Sequence, residues 1–334
     1  MNELQDVCVA HERGEKRQMT ERQDVRVAHD PDGERQMIGA APPRLAGRTL
    51  DGARRELRAW LGVRGKGDET DYLVCHALGK NRAWLYANGH LCLEPDSEQH
   101  LRDIVARRAR GVPFAYLTGV REFYSLDFEV GPAVLVPRPE TEVLVECALD
   151  GLPRGAEVLD LGTGCGNLIV AIAHTRRDVR ATATDTSREA LAVARRNAAR
   201  HGLHNIRFLE SDWFGNVDGR FDLIVGNPPY IGDNDPQLDD EVAAHEPGAA
   251  LFAGGDGLAH LRRITAHARN HLKPGGRLIV EHAPTQDAAV RAMMHTAGFA
   301  PVHSARDAAG RPRACIGAGA RPNQQTINGS SCST

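Results

Sequence analysis

No stretch of this 334-residue chain approaches the roughly 18 uncharged apolar residues of a membrane-spanning helix, which excludes a membrane-helix protein. The charged amino terminus has no signal-peptide core either. Neither sign of charge is in large excess: Lys and Arg number 41 against 44 Asp and Glu, a formal net charge of -3. That balance argues against a protein whose affinity rests on a broad phosphate-binding surface. Arg107, Arg108 and Arg110 form a short basic cluster that reads as a solvated helix face. The seven cysteines (Cys8, Cys75, Cys92, Cys147, Cys165, Cys315 and Cys332) are odd in number, scattered, and never in C-x-x-C spacing. Free thiols in a reducing compartment are therefore expected, not a disulfide framework or a zinc site. His267 and His271 stand at i, i+4 but lack a third ligand, so no metal is expected. A soluble, cytoplasmic, monomeric protein is the expectation.

What is present is a chain long enough for two domains, with an ordinary 41% of hydrophobic residues. Residues 1–40 are polar and duplicated: Gln5-Asp6-Val7-Cys8-Val9-Ala10-His11 recurs as Gln23-Asp24-Val25-Arg26-Val27-Ala28-His29. Two copies are too few for a solenoid, so a disordered extension is expected, with Met37 a candidate start. Residues 41–118 turn helical, with Leu50, Ala53, Leu57 and Leu61 at helical spacing, a second helix closed by Gly79, and a third capped by Asp96. Trp84 and Tyr86 are expected as core or packing residues of this bundle, not as a ligand site. Residues 119–150 read as a hairpin and linker, with Pro139 at a helix start. From 151 to 318 strands alternate with helices, which predicts a parallel, doubly wound sheet. The tail, 319–334, is expected to be flexible.

Two stretches carry chemistry. Leu223-Ile224-Val225-Gly226 reads as a buried strand, and Asn227-Pro228-Pro229-Tyr230 stands at its carboxyl end, where open α/β sheets bind ligands. An amide or exocyclic amino nitrogen is a poor nucleophile because its lone pair is delocalised. The Asn227 side-chain oxygen and the Pro228 carbonyl can hold the two N–H bonds of such a group while Tyr230 offers it a flat face. Proline fixes φ, so the loop is pre-organised. The second stretch, Asp160-Leu161-Gly162-Thr163-Gly164-Cys165-Gly166, follows the first strand; its G-x-G-x-G spacing departs from the dinucleotide G-x-G-x-x-G. Asp185 ends the second strand, where a carboxylate can accept both hydroxyls of a ribose. Ser211-Asp212-Trp213-Phe214, after the third strand, can flank an adenine. Cys165 is read as a small packing residue. Four strand ends so equipped fit S-adenosyl-L-methionine, whose sulfonium carries an electrophilic methyl group.

With these motifs assembled, the region from Leu117 to about Gly317 resembles the HemK-type N5-glutamine methyltransferases of peptide chain release factors. Leu117-Thr118-Gly119, Arg121-Glu122-Phe123, Pro137-Arg138-Pro139-Glu140-Thr141-Glu142, Asp160 to Gly164, Ser211 to Phe214, Asn227 to Tyr230 and Glu246-Pro247 carry the resemblance, and Ala53–Gly111 is similar to that family's helical amino-terminal domain. The resemblance implies an α/β fold, a seven-stranded Rossmann-like class I methyltransferase sheet with its last strand antiparallel, and a small helical domain that recognises the substrate. It implies methylation of the glutamine in the Gly-Gly-Gln motif of release factors. Gly162, Thr163, Gly164, Cys165, Gly166, Asp185, Asp212, Trp213 and Asn227 match cofactor positions. Asn227, Pro228 and Tyr230 match the catalytic motif, and with Pro229 and Arg138 the substrate site. Asn167 stands where the family usually has a small or aliphatic residue, and Gly226 where serine is common.

Two other substrates suit the same tetrapeptide. A ribosomal-protein glutamine methyltransferase shares it, but Pro137–Glu142 and Asp212-Trp213-Phe214 speak for the release-factor enzymes. A DNA adenine-N6 methyltransferase would also have to flip a base and hold the phosphate backbone, for which the charge balance is unsuited.

Overall fold

The computed structural model describes residues 41–319, except 234, 236 and 237. The expected extension before residue 41 and the tail from residue 320 lie outside the described residues. The chain divides into two compact units, the first ending at Thr118 and the second beginning at Gly119.

The first unit is helical, with α-helices Leu50–Gly62, Thr70–Leu78, Arg82–Ala87, Pro95–Ala109 and Phe114–Thr118. The Thr49 and Asn81 side chains cap two amino termini by accepting from Gly52 N and Trp84 N, and Gly79 closes Thr70–Leu78 at φ 62°. Leu50, Ala53, Leu57 and Leu61 are all buried, as their spacing predicts. Two expectations need correction. The helix expected from Asp96 begins at Pro95, with Glu94 as its cap residue; proline suits the first helical position, and Asp96 falls in the first turn. Tyr86 is not a core residue but 54% exposed, because its ring lies under the Arg54 guanidinium while its hydroxyl reaches a buried carboxylate.

That carboxylate is Asp71, 3% exposed. It accepts from Arg54 Nε at 3.0 Å and Nη2 at 2.9 Å, Arg58 Nη2 at 2.9 Å and the Tyr86 hydroxyl at 2.6 Å. Burial would raise its pKa, but the Arg54 and Tyr86 hydrogen bonds and the Arg54 and Arg58 charges outweigh burial and hold it at about 2.

The second unit opens with a hairpin of β1 (Val120–Phe123) and β2 (Leu126–Glu129), turning through Tyr124 and Ser125 at φ 52° and 60°. Positive φ at both central residues matches the twist of the strands. The Glu142 and Glu122 carboxylates accept the two turn N–H groups, at 2.9 and 2.6 Å. The remaining strands are β3 (Glu157–Leu161), β4 (Arg180–Asp185), β5 (Ile206–Glu210), β6 (Phe221–Gly226), β7 (Leu272–Glu281), β8 (Val302–Arg306) and β9 (Pro312–Ala318). They form one sheet in the order β5-β4-β3-β6-β7-β9-β8, parallel except for β9, which is antiparallel to both neighbours. Helices Glu142–Leu149, Asn167–Thr175, Arg188–Arg200, Ala259–Ala268 and Asp287–Thr296 accompany it. The chain starts mid-sheet, runs out to β5 and returns to place β6 against β3, so the strand order switches between β3 and β6.

The strands and helices expected from residue alternation between Val158 and Ala297 are all present. Helix Ala259–Ala268 passes at its end into a 3₁₀ turn, Arg269–His271. Strands β8 and β9 were implied only by the family resemblance: a seven-residue strand containing Arg313, Gly317 and three alanine or cysteine residues has weak β-propensity, and burial between β7 and β8 overrides it.

Asp71→Asn keeps the shape of that side chain and removes its charge. The Asp71 pKa falls from 3.8 unfolded to about 2 folded, so its stabilisation is complete above pH ~4 and fades as pH falls toward ~2. The variant should lose about 2 kcal/mol at neutral pH, read as an earlier urea midpoint by tryptophan fluorescence. The gap from wild type should narrow between pH ~4 and ~2. Equal midpoints at neutral pH would mean that the cluster adds nothing.

Candidate active site

The site grows from the strand ends at the switch. Leu161 of β3 pairs with Gly226 of β6 and with Thr184 of β4, and Gly226 pairs with Val280 of β7. The residues one step beyond, Gly162, Asp185, Asn227 and Glu281, therefore stand side by side at the carboxyl edge.

After β3 the backbone turns through Gly162, Gly164 and Gly166 at φ 69°, 55° and 85°. Only glycine takes these angles without strain. At Gly162 a Cβ would meet the Trp213 ring at 3.3 Å, so the loop and the indole lie against each other. Thr163 donates its hydroxyl to Asp160 Oδ2 at 2.6 Å, while Asp160 Oδ1 is buried without a hydrogen-bond partner among the described residues. Burial above all, with the nearby Asp185 charge, pushes the Asp160 carboxyl up to about 7 against the Thr163 bond. Asp185 accepts from Gly164 N and Ser187 N, both at 2.9 Å; burial raises its pKa too. Cys165 is 1% exposed and its thiol is pushed by burial to about 12, so it is a packing residue, its Sγ 3.8 Å from Asn167 Oδ1.

Trp213 is buried at φ 53°, its ring 5.3 Å from that of His260. Asp212 is mostly exposed and pairs with Arg263, whose Nη1 is 2.8 Å from Oδ1. Within the Ser211–Phe214 stretch the side chains part company. Phe214 instead stacks on His271 at 4.6 Å, in the core cluster beneath helix Ala259–Ala268. His267 Nδ1 lies 2.8 Å from the Arg263 carbonyl, so the two histidines serve different contacts.

The tetrapeptide leaves β6 with Asn227, Pro229 and Tyr230 half-buried and Pro228 buried. Asn227 Nδ2 donates to Thr141 Oγ1 at 3.3 Å, and among the described residues its Oδ1 has no hydrogen-bond donor. The Tyr230 hydroxyl donates to Glu281 Oε1 at 3.0 Å, and its carbonyl accepts from Gln286 Nε2 at 2.9 Å. Burial, and then the Glu281 charge, raise the Tyr230 pKa, so the phenol stays protonated. Arg138 Nη2 pairs with Glu246 Oε1 at 2.6 Å, and Glu246 Oε2 accepts from Val136 N at 3.0 Å. Arg138 thus stitches two of the sequence motifs together, and its charge also acts on Tyr230.

Three residues outside the sequence-derived set join the site. Thr141 holds Asn227. Glu281 is 1% exposed and holds Tyr230; burial raises its carboxyl to about 7 against the Thr141 and Tyr230 hydrogen bonds and the Arg313 charge. Asn197, fully buried, donates from Nδ2 to the carbonyls of Cys165 at 2.9 Å and Glu129 at 3.0 Å, and accepts from Glu129 N at 2.7 Å. Glu281 left a trace in the sequence, as a charge closing the apolar run Leu278-Ile279-Val280. Asn197 left none on its polar helix.

A sheet of this order, switching beside a glycine loop, with a carboxylate ending β4 and Asn-Pro-Pro-Tyr ending β6, defines a class I methyltransferase. The Methyltransferase small domain model matches residues 139–246 and the PrmC N-terminal domain model residues 49–119. The release factor glutamine methyltransferase of Xylella fastidiosa strain 9a5c is 46% identical over 252 residues, covering 75% of this chain and 92% of the relative. Those of Burkholderia pseudomallei and Escherichia coli K12 are 47% and 41% identical, covering 73% and 75% of this chain and 89% and 91% of the relatives. Among solved structures, the protein-(glutamine-N5) methyltransferase (release factor-specific) of Alicyclobacillus acidocaldarius is 31% identical, covers 58% of this chain and 100% of its own, and has a TM-score of 0.36. This chain belongs to the release factor glutamine methyltransferase family.

The buried Cys165 and Cys315 thiols are both pushed to about 12, whereas Cys92 is exposed. Native protein treated with iodoacetamide at neutral pH should be alkylated at Cys92 and spared at Cys165 and Cys315, read by peptide mass spectrometry, since alkylation needs an accessible thiolate. Labelling of Cys165 as fast as Cys92 would mean that the glycine loop opens readily.

Proposed function

We propose that this enzyme uses S-adenosyl-L-methionine to methylate the side-chain amide nitrogen, N5, of the glutamine in the Gly-Gly-Gln motif of peptide chain release factors. It acts in the cytoplasm, as a monomer, on a protein substrate and without holding nucleic acid. The observation that carries the reading is the orientation of Asn227: with Nδ2 engaged by Thr141, Oδ1 is an acceptor at the strand switch that has no donor among the described residues.

The residues present fit the cofactor. The glycine loop leaves a cradle that side chains would fill, and the Trp213 ring covers it at Gly162. Asp160 Oδ1 is a buried acceptor without a donor among the described residues, and both Asp160 and Asp185 have raised pKa values, which a cationic ligand beside them would relieve. Asp185 accepts from Gly164 N and Ser187 N, and a carboxylate with about four lone-pair sites can still accept from a ribose hydroxyl. Bound there, S-adenosyl-L-methionine supplies a sulfonium methyl group as electrophile.

The chain's own residues then prepare the nucleophile. The Asn227 Oδ1 and the Pro228 carbonyl accept the two amide N–H bonds and orient the nitrogen lone pair. Tyr230 packs on the planar amide, fixed at its hydroxyl by Glu281 and at its carbonyl by Gln286. Two prolines hold the loop in place, so little reorganisation remains for the reaction. The helical unit ending at Thr118 supplies further contacts to the release factor. Remote binding energy of that kind orients a short side chain that a free peptide would present poorly.

Asp185→Ala should weaken S-adenosyl-L-methionine binding by one or two charge-assisted hydrogen bonds, about 1.5–3 kcal/mol each, measured by calorimetry. Unchanged affinity in a folded variant would take Asp185 out of the site. Asn227→Ala should cut kcat by about a hundredfold or more, and a variant that keeps most of its turnover would reduce the tetrapeptide to a turn. Substrate choice is tested by labelled-cofactor assay with intact release factor, a short Gly-Gly-Gln peptide, ribosomal protein and duplex DNA in parallel. Label should enter chiefly intact release factor. Label chiefly in ribosomal protein, or in DNA adenine, would replace this reading by the corresponding alternative.

A further inference from the structure

Trp213, which lies against the glycine loop, stands in a backbone conformation that its own side chain disfavours. Its φ of 53° is in the left-handed region, where a bulky residue is strained and stays only if its surroundings over-determine it. A neighbouring hydroxyl supplies that constraint. Ser211, 3% exposed, donates its hydroxyl to the Trp213 carbonyl at 2.9 Å and accepts from Asn216 N at 3.0 Å. A carbonyl only accepts and a backbone N–H only donates, so the groups themselves fix the direction of both bonds. Each end of the tie is anchored in turn. Ser211 N donates to the Asp185 carbonyl at 3.0 Å, and Asn216 Nδ2 to the Glu210 carbonyl at 2.9 Å. Gly215 N reaches the Asp212 carbonyl at 3.0 Å and Val217 N the Phe214 carbonyl at 3.1 Å, so the turn is closed on itself.

The conformation so held aims the indole. A Cβ added at Gly162 would meet its Cζ3 at 3.3 Å and its Cη2 at 3.6 Å, so the six-membered edge of the ring lies against the loop that follows β3. At a negative φ the ring would leave that place, because rotation about φ swings the Cα–Cβ bond away from where the preceding chain now puts it. We infer that Ser211, braced by Asn216, is a positioning residue that holds Trp213 in its strained turn and thereby sets the affinity for S-adenosyl-L-methionine, acting through the indole. This rests on the reading of Trp213 as part of the cofactor site, and it adds the group that keeps the ring there. The ring is ordered on folding, so binding the cofactor does not have to order it.

Ser211→Ala deletes one buried oxygen and takes from the Trp213 carbonyl and from Asn216 N the partner they share. In full-length enzyme the dissociation constant of S-adenosyl-L-methionine, by calorimetry, and its KM, by labelled-cofactor assay, should both rise about tenfold. At saturating cofactor kcat should fall less than about threefold. In a Trp213→Ala background the same change should weaken binding less than about threefold further, because its route is gone. A readout free of substrate and cofactor is the indole N–H region of a ¹⁵N–¹H spectrum. The chain has three tryptophans; the Trp213 signal, assigned with Trp213→Phe, should move in Ser211→Ala while those of Trp60 and Trp84 stay in place. Wild-type affinity in Ser211→Ala, an unmoved Trp213 signal, movement of all the indole signals together, or full additivity in the Trp213→Ala background would overturn the inference. Should Ser211→Ala fail to fold, Asn216→Ala, an exposed change at the other end of the tie, decides in its place: the Trp213 signal should move and KM for the cofactor rise at least about threefold. If Trp213→Ala binds the cofactor as tightly as wild type, the cofactor reading of Trp213 fails, while the Trp213 signal in Ser211→Ala still tests whether Ser211 holds the turn.

Discussion

The pairing of β6 against β3, Gly226 opposite Leu161, is the contact on which the rest of the site depends. It brings a strand from late in the chain beside the first strand of the sheet, so that Asn227 leaves the edge next to Gly162. At Gly226 a Cβ would stand 2.9 Å from the Leu161 carbonyl oxygen, so glycine lets the two strands close up there. Every other feature of the site is arranged around that junction. β4 contributes Asp185 on one side, and β7 contributes Glu281 on the other. A sheet that placed β6 elsewhere would keep all four motifs and have no site.

Around this junction, polar side chains do the holding that apolar packing cannot. Packing fixes how far apart elements lie but is non-directional. A hydrogen-bonded side chain also fixes orientation. Asn197 ties helix Arg188–Arg200 to the hairpin and to the glycine loop at Cys165. Glu246 ties the Glu-Pro turn to Val136 and Arg138, and Thr141 ties the 139–141 turn to Asn227. The segment from Val136 to Glu142, short of regular structure for half its length, is thereby built into the edge of the site.

The buried carboxyls share one logic. Asp71 in the helical unit is fully partnered and held at about 2, a structural group that stabilises the fold. Asp160 and Glu281 each have one oxygen without a partner among the described residues and are held near 7 by burial. Perturbed, partly unsatisfied carboxyls at the carboxyl edge of an open α/β sheet mark where a functional site is to be sought, whereas a fully partnered one such as Asp71 does not.

Much was legible in the sequence. The helix spacing of Leu50 to Leu61, the alternation of strands and helices from Val158, the glycine turn and Asn227 to Tyr230 are local signals, because periodicity, positive φ and proline act through neighbouring residues. What the sequence could not carry is what distant segments do to one another. Strands β8 and β9 are weak by local propensity and exist because burial beside β7 forces them. Phe214 stands in a stretch expected to flank an adenine yet stacks on His271, and Tyr86 reads as a core or packing residue yet lies exposed over Arg54, since the partner of each is far along the chain. Residue types and turns were set locally; the hydrogen-bond partner of the Asn227 amide, Thr141, lies 86 positions away, because a side-chain hydrogen bond is made to whatever group the fold brings to it.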